Sequence, residues 1–213
     1  MAKSNVTEEP FYSKNELSKN CNEVNIPLMP SCKGNTGYAN AIATVLHATI
    51  NRNPNRQDVY PDWYILFSDI MLSFGEKEQT VTNVLKMICP KYDLRYEKVC
   101  AKEAIVGISL NRPIITKFSL TNREWKTFAE FYFRNPTGIL TRSEIDINRR
   151  QFLKSGDLEE HFVVFTGYES SYLRFMNCWG EAWADHGFFK VQNENIFEFE
   201  FYDVLCAQDD VQR

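Results

Sequence analysis

Between residues 39 and 50, apolar side chains recur at the spacing of one helical face: Ala39, Ile42, Ala43, Val45, Leu46 and Ile50. At 3.6 residues per turn they form one broad stripe, which predicts a helix. The alanines of its first turns predict an element packed close against it. Before it, Lys33-Gly34-Asn35-Thr36-Gly37 reads as a turn by its glycines and asparagine. Earlier still, the two prolines of Ile26-Pro27-Leu28-Met29-Pro30 forbid helix and predict extended chain. Asn51 to Asn55, with Pro54, ends the helix. Residues 62–74 and 81–88 read as two further short helices, broken at Gly75 and Pro90, and 101–110 as another.

The second half changes period. Residues 113–120 alternate as a strand, and 125–133 read as a short amphipathic helix. Residues 161–168, 172–177, 187–191 and 197–205 are strand-like, rich in Phe, Val and Tyr. A helical half followed by a stranded half predicts an α+β protein with two lobes. The division is an N-terminal arm at 1–23, a helical lobe at 24–108 and a β-rich lobe at 109–213.

Composition narrows the classes. With 44% hydrophobic residues, 16 of them Phe, the 213-residue chain can bury a core, so wholesale disorder is excluded. A net charge of −4 offers no basic excess for a nucleic-acid backbone. The longest apolar runs, such as Trp63 to Phe67, fall far short of the roughly 20 residues a spanning helix needs. Residues 1–10 are polar, with no apolar signal-peptide region. The six cysteines, Cys21, Cys32, Cys89, Cys100, Cys178 and Cys206, show neither C-x-x-C nor zinc-ligand spacing. They read as free thiols in a reducing compartment, hence an intracellular, cytoplasmic setting. The sequon Asn5-Val6-Thr7 matters only for a secreted chain.

One constellation carries chemistry. His161-Phe162-Val163-Val164-Phe165-Thr166-Gly167-Tyr168 leads to Asn177-Cys178-Trp179-Gly180, then Trp183, then His186-Gly187-Phe188-Phe189. This resembles the C-terminal lobe of papain-like (cathepsin-type) cysteine peptidases, whose pattern is H-A-V-x-x-x-G-Y followed by N-S-W-G-x-x-W-G-x-x-G-Y-F. The departures are Phe162 for Ala, Cys178 for Ser and Ala184 for Gly. Ala104 to Ile114 looks like that family's passage from helix, through x-x-P, into the second lobe. The resemblance runs from Ile26 to Leu205.

Around the nucleophile the family reads Q-G-x-C-G-x-C-W-A-F-[AS], and this chain reads Lys33 to Ala43. The ungapped register puts Ala39 at the nucleophile, Lys33 in place of the oxyanion-hole Gln, Thr36 in place of a bridged Cys and Asn40 in place of Trp. A gapped register puts Gly37 on the nucleophile and Tyr38 on the Trp. Neither supplies a thiol.

The resemblance implies a papain-like α+β fold with a cleft between the lobes. His161 is the expected base, oriented by Asn177 and shielded by Trp179. The backbone N–H of Ala39 and the Lys33 side chain are the expected oxyanion donors. In such sites a cysteine at a helix N-terminus, paired with His, ionises because dipole and imidazolium both favour thiolate. The implied activity is a thiol peptidase or isopeptidase using Cys-His-Asn chemistry, without turnover as written because Ala39 fills the nucleophile position. Substitution of an original Cys and a natural pseudopeptidase both fit, the second acting as a peptide- or protein-binding module. Acyl transfer on a non-peptide amide is a third reading. The expected partner is a peptide or protein, a ubiquitin-like tail among the candidates. No cofactor, metal, nucleic acid or membrane is expected, and the chain is expected to be a monomer. His186 reads as a surface-turn residue, His47 as helix packing or polar face, and Arg142 to Arg150 as a solvated mixed-charge loop.

Overall fold

The alanine-rich stripe is the face of helix α1 (Gly37–Asn51), which is buried along most of its length. A computed structural model describes residues 22–32, 34–52, 61–76, 80–150, 153–154, 156–207 and 209. Lys33, Cys21 and the Asn5-Val6-Thr7 sequon therefore lie outside the described residues. Ala39, Ala41 and Ala43 are fully buried because α1 is covered on both sides. One side meets α2 (Trp63–Phe74), and the other meets the sheet through the strands β3 (Ile114–Thr121), β5 (Leu158–Glu169) and β8 (Glu200–Leu205). Small side chains let a helix sit that close. α3 (Val81–Ile88), capped by the Thr80 hydroxyl, completes the helical layer.

The remaining elements are β1 (Asn22–Glu23), β2 (Arg95–Val99), α4 (Ala101–Ser109), α5 (Asn122–Arg134), β4 (Ile139–Leu140), β6 (Tyr172–Met176) and β7 (Phe188–Val191). The sheet runs β2-β8-β3-β5-β6-β7-β4, with β1 paired on β5. All its ladders are antiparallel except β4 with β7. The architecture is α+β, as the change of period predicts.

Strand β5 shows how the site is positioned. Successive side chains point to opposite faces of a strand. Phe162 and Val164 therefore enter the core under α1, with Leu46, Leu66 and Leu85. Val163 and Phe165 enter a second core on the opposite face, with Phe118, Phe128, Phe175 and Phe189. Both faces being buried there, Phe162 to Phe165 form a continuous apolar run within β5, and His161 precedes it at the edge of both cores.

Three strands escape the hydrophobic pattern. β1 and β4 are two residues long. β2, Arg95-Tyr96-Glu97-Lys98-Val99, is polar and lies within 24–108, yet it pairs with β8 from Arg95↔Leu205 to Val99↔Phe201. β8 begins at Glu200 rather than Phe197. Arg112, 6% exposed, donates to Asp203 on β8 at 2.8 Å and fixes the turn after α4 to the sheet. The loop reading of Arg142 to Arg150 needs correction at its end. Arg150 is 8% exposed and donates to Glu124 at 2.9 Å and to the Ser119 carbonyl at 2.9 Å, because it clamps the first turn of α5 to β3. Among the described residues, no helix is long and apolar enough to cross a membrane.

Candidate active site

Strand register and two turns bring His161 and Asn177 together. β5 and β6 pair from Val164↔Met176 to Glu169↔Tyr172, so the start of one strand lies beside the end of the other. His161 Nε2 stands 2.8 Å from Asn177 Oδ1. The same oxygen accepts from the Cys178 amide at 2.8 Å, and the Asn177 backbone amide donates to the Gly187 carbonyl at 2.8 Å. Asn177 is 1% exposed, so its side chain has one set place.

The imidazole is walled by aromatic rings. Trp179 lies with its centroid 5.3 Å from the imidazole, Trp125 at 5.3 Å and Phe118 at 5.7 Å. Trp179 is the outer cover, itself 38% exposed. Desolvation by these walls pushes the His161 pKa down to about 4, against the opposing hydrogen bond to Asn177 Oδ1. The ring is therefore neutral at pH 7. Trp125 belongs to the site although the sequence marks it only as a helix residue. It shares the buried face of α5 with Phe128 and Tyr132, at helical spacing, and that spacing signals a core face rather than a site.

The cleft beside His161 has a volume of about 470 Å³. Its helical side is formed by Gly34, Asn35, Gly37 and Tyr38, and its sheet side by Leu158, Glu159, Glu160, His161, Phe162 and Trp179. Gly37 and Tyr38 are the first two residues of α1. Tyr38 packs edge-on against Phe162 at 6.3 Å and donates its hydroxyl to the Gly75 carbonyl at 2.5 Å. Ala39 is 0% exposed, sits in the core under α1 and is not among the residues lining the cleft. Asn40, 2% exposed, turns back to donate to the Thr36 carbonyl at 3.0 Å. Lys33 lies outside the described residues. His186 is exposed in a turn at φ 53°, and His47 shares a hydrogen bond with Asn51 on the outer face of α1.

The cysteine reading needs correction. Cys32 and Cys178 form a disulfide, with their Cα atoms 5.3 Å apart. They are 146 residues apart in sequence, so spacing carries no signal of the pair. What unites them is backbone docking: the Cys32 amide donates to the Cys178 carbonyl at 2.8 Å, and the resulting Cα separation lies within disulfide reach. Cys89, Cys100 and Cys206 stay outside any disulfide. The inference of a reducing compartment from free thiols loses its footing, since such bonds persist in oxidising surroundings.

The chain was compared with known proteins. No family model matches the sequence, and no curated protein matches it. Solved structures do. Xylellain, a cysteine protease from Xylella fastidiosa, is 13% identical with a TM-score of 0.56, covering 87% of this chain and 85% of its own. The procathepsin B S9 of Trypanosoma congolense is 11% identical with a TM-score of 0.55, covering 89% of this chain and 80% of its own. The fold is that of papain-like cysteine proteases.

Proposed function

We propose that this chain is a papain-like peptidase scaffold that grips a peptide or protein segment in its cleft without cutting it. The observation carrying this reading is the composition of the cleft. Its helix-start residues are Gly37 and Tyr38, and Cys32, the cysteine at its wall, is tied to the buried Cys178. Acyl transfer by this machinery needs a thiolate at the helix start, and among the described residues the cleft offers none.

The gapped register fits this reading. Gly37 takes the nucleophile position, Tyr38 takes the place of the family's Trp, and Ala39 is a packing residue. A neutral His161 fits as well. In a working pair the imidazolium is stabilised by the thiolate beside it; here burial outweighs the Asn177 hydrogen bond and lowers the pKa. The walls suit a peptide: Trp179 and Leu158 supply apolar surface, and Glu159 supplies charge. A cleft of this volume is in the range that holds small ligands or a few side chains.

A second reading has one observation in its favour. The His161–Asn177 hydrogen bond is intact, as in a peptidase that lost only its thiol. Placing a cysteine at position 37 or at position 39, in parallel, separates the two. Cysteine-dependent cleavage by Gly37→Cys supports the gapped register and an otherwise competent site. Cleavage by Ala39→Cys alone supports the ungapped register. Binding of peptides with no cleavage by either variant supports a dedicated binding module. Cleavage by the unmodified chain overturns the proposal.

A further inference from the structure

The Cys32–Cys178 disulfide does not staple distant surface loops. It lies in the wall of the cleft, and its two sulfurs have different surroundings. Cys32 is partly exposed and lines the 470 Å³ cavity. Cys178 is 0% exposed and faces the first residue of α1: a Cβ placed on Gly37 would meet Cys178 Sγ at 3.8 Å. α1 is 15 residues long and has no acidic residue in its first turn. Its positive end lies beside the Cys178 sulfur.

We propose that this disulfide is a thiol–disulfide exchange site, opened from the cleft by a small thiol that attacks Cys32. A thiolate entering the cavity bonds to Cys32 Sγ, and the Cys32–Cys178 bond breaks. The electron pair leaves on Cys178, where the helix N-terminus offsets part of the cost of a buried thiolate. A second thiol then attacks the mixed disulfide at the small-molecule sulfur and releases the Cys32 thiol. Two thiols are oxidised to one disulfide, and the protein disulfide is reduced to two thiols.

The geometry explains why exchange needs no unfolding. The two segments stay docked without the S–S bond, through the backbone hydrogen bond from Cys32 to Cys178. They also meet where Ser31 abuts Gly180: a Cβ on Gly180 would lie 2.8 Å from Ser31 Oγ, so only glycine fits there without a shift. The carboxylates among the described residues lining the cleft are Glu159, which is exposed, and Glu160, which is paired with Lys117 at 2.7 Å. A thiol carrying an ammonium, such as cysteamine, therefore suits the cavity. The released Cys178 would adjoin Asn177, which holds the imidazole, so the redox state of the pair reaches His161. None of this rests on the peptide-binding reading.

The test uses the unmodified protein under native conditions. It is treated with cysteamine, quenched in acid, alkylated and mapped by peptide mass spectrometry. The expected first product carries cysteamine on Cys32 and alkyl on Cys178, and it forms at a rate unchanged by urea below the unfolding transition. Cysteamine found first on Cys178, or opening only as fast as global unfolding, overturns the proposal. Single variants give a second measurement. An aromatic disulfide reagent should label Cys32 in Cys178→Ser at least about tenfold faster than Cys178 in Cys32→Ser, since access and the sulfur attacked govern the rate. Equal rates in the two folded variants contradict it.

Discussion

Gly37 and Cys178 meet across the cleft: a Cβ added to Gly37 would lie 3.8 Å from Cys178 Sγ, in ordinary van der Waals contact. The helix start thus has room for a Cβ where this chain has only hydrogen. Beside it His161 and Asn177 are already joined. Under the proposed reading the site holds two of the three parts of a thiol peptidase, and its helix start is a glycine.

Restoring the third part should change the imidazole. In a Cys32→Ala, Cys178→Ser, Gly37→Cys variant, which removes the disulfide so that it cannot exchange with the new thiol, a thiolate would stand by His161. An opposite charge nearby favours the protonated ring, so the His161 pKa should rise from about 4. NMR titration of the ring protons reads this directly. The rate of alkylation of the introduced thiol against pH should show it titrating below the ordinary value of about 8.5. An unmoved imidazole contradicts the placement of Gly37 opposite His161.

His161 also makes stability depend on pH. Its folded pKa of about 4 lies below the ordinary value of 6.5. The unfolded chain therefore binds the proton that the folded chain refuses, and stability falls as pH drops through this window. Between pH 7 and 5 the loss should be about 2 kcal/mol. Lowered carboxylates such as Glu200, at about 2 through its bonds to Lys98, Tyr202 and Lys117 despite burial, lose their contribution at lower pH. Urea midpoints at pH 7 and 5 measure the effect, and His161→Gln should flatten it.

The Arg112–Asp203 pair should be costly to break. Both side chains are nearly buried, at 6% and 3% exposure, and removing one partner leaves a buried charge. Arg112→Ala is expected to cost about 3–5 kcal/mol. Arg112→Met with Asp203→Leu, which removes both charges, should cost much less. Denaturation of the two variants side by side decides between a buried-charge penalty and lost packing.

Much of this was legible in the chain. The stripe from Ala39 to Ile50 gives α1 and the alternation at 113–120 gives β3, because burial on a defined face leaves a period, while the Phe- and Val-rich run at 161–168 gives β5, which is buried on both faces. β2 was hidden because Arg95 to Val99 lies at the sheet edge and pairs through its backbone and polar side chains, which leaves no apolar alternation. His161 and Asn177 were legible as a motif. Trp125 was not, since its spacing with Phe128 and Tyr132 is that of any buried helix face. The Cys32–Cys178 bond was not legible either, being made by tertiary docking across 146 residues.

The central claim is that the cleft binds without cutting, and a search for new peptide termini tests it most directly. The unmodified protein is incubated with a peptide library digested from whole-cell extract, with and without a dithiol, and the termini are counted by mass spectrometry. The account predicts no termini beyond those of a His161→Ala control in either condition. New termini that vanish in that control and on treatment with a thiol-alkylating reagent would mean that the chain carries a working thiol nucleophile, and would contradict it.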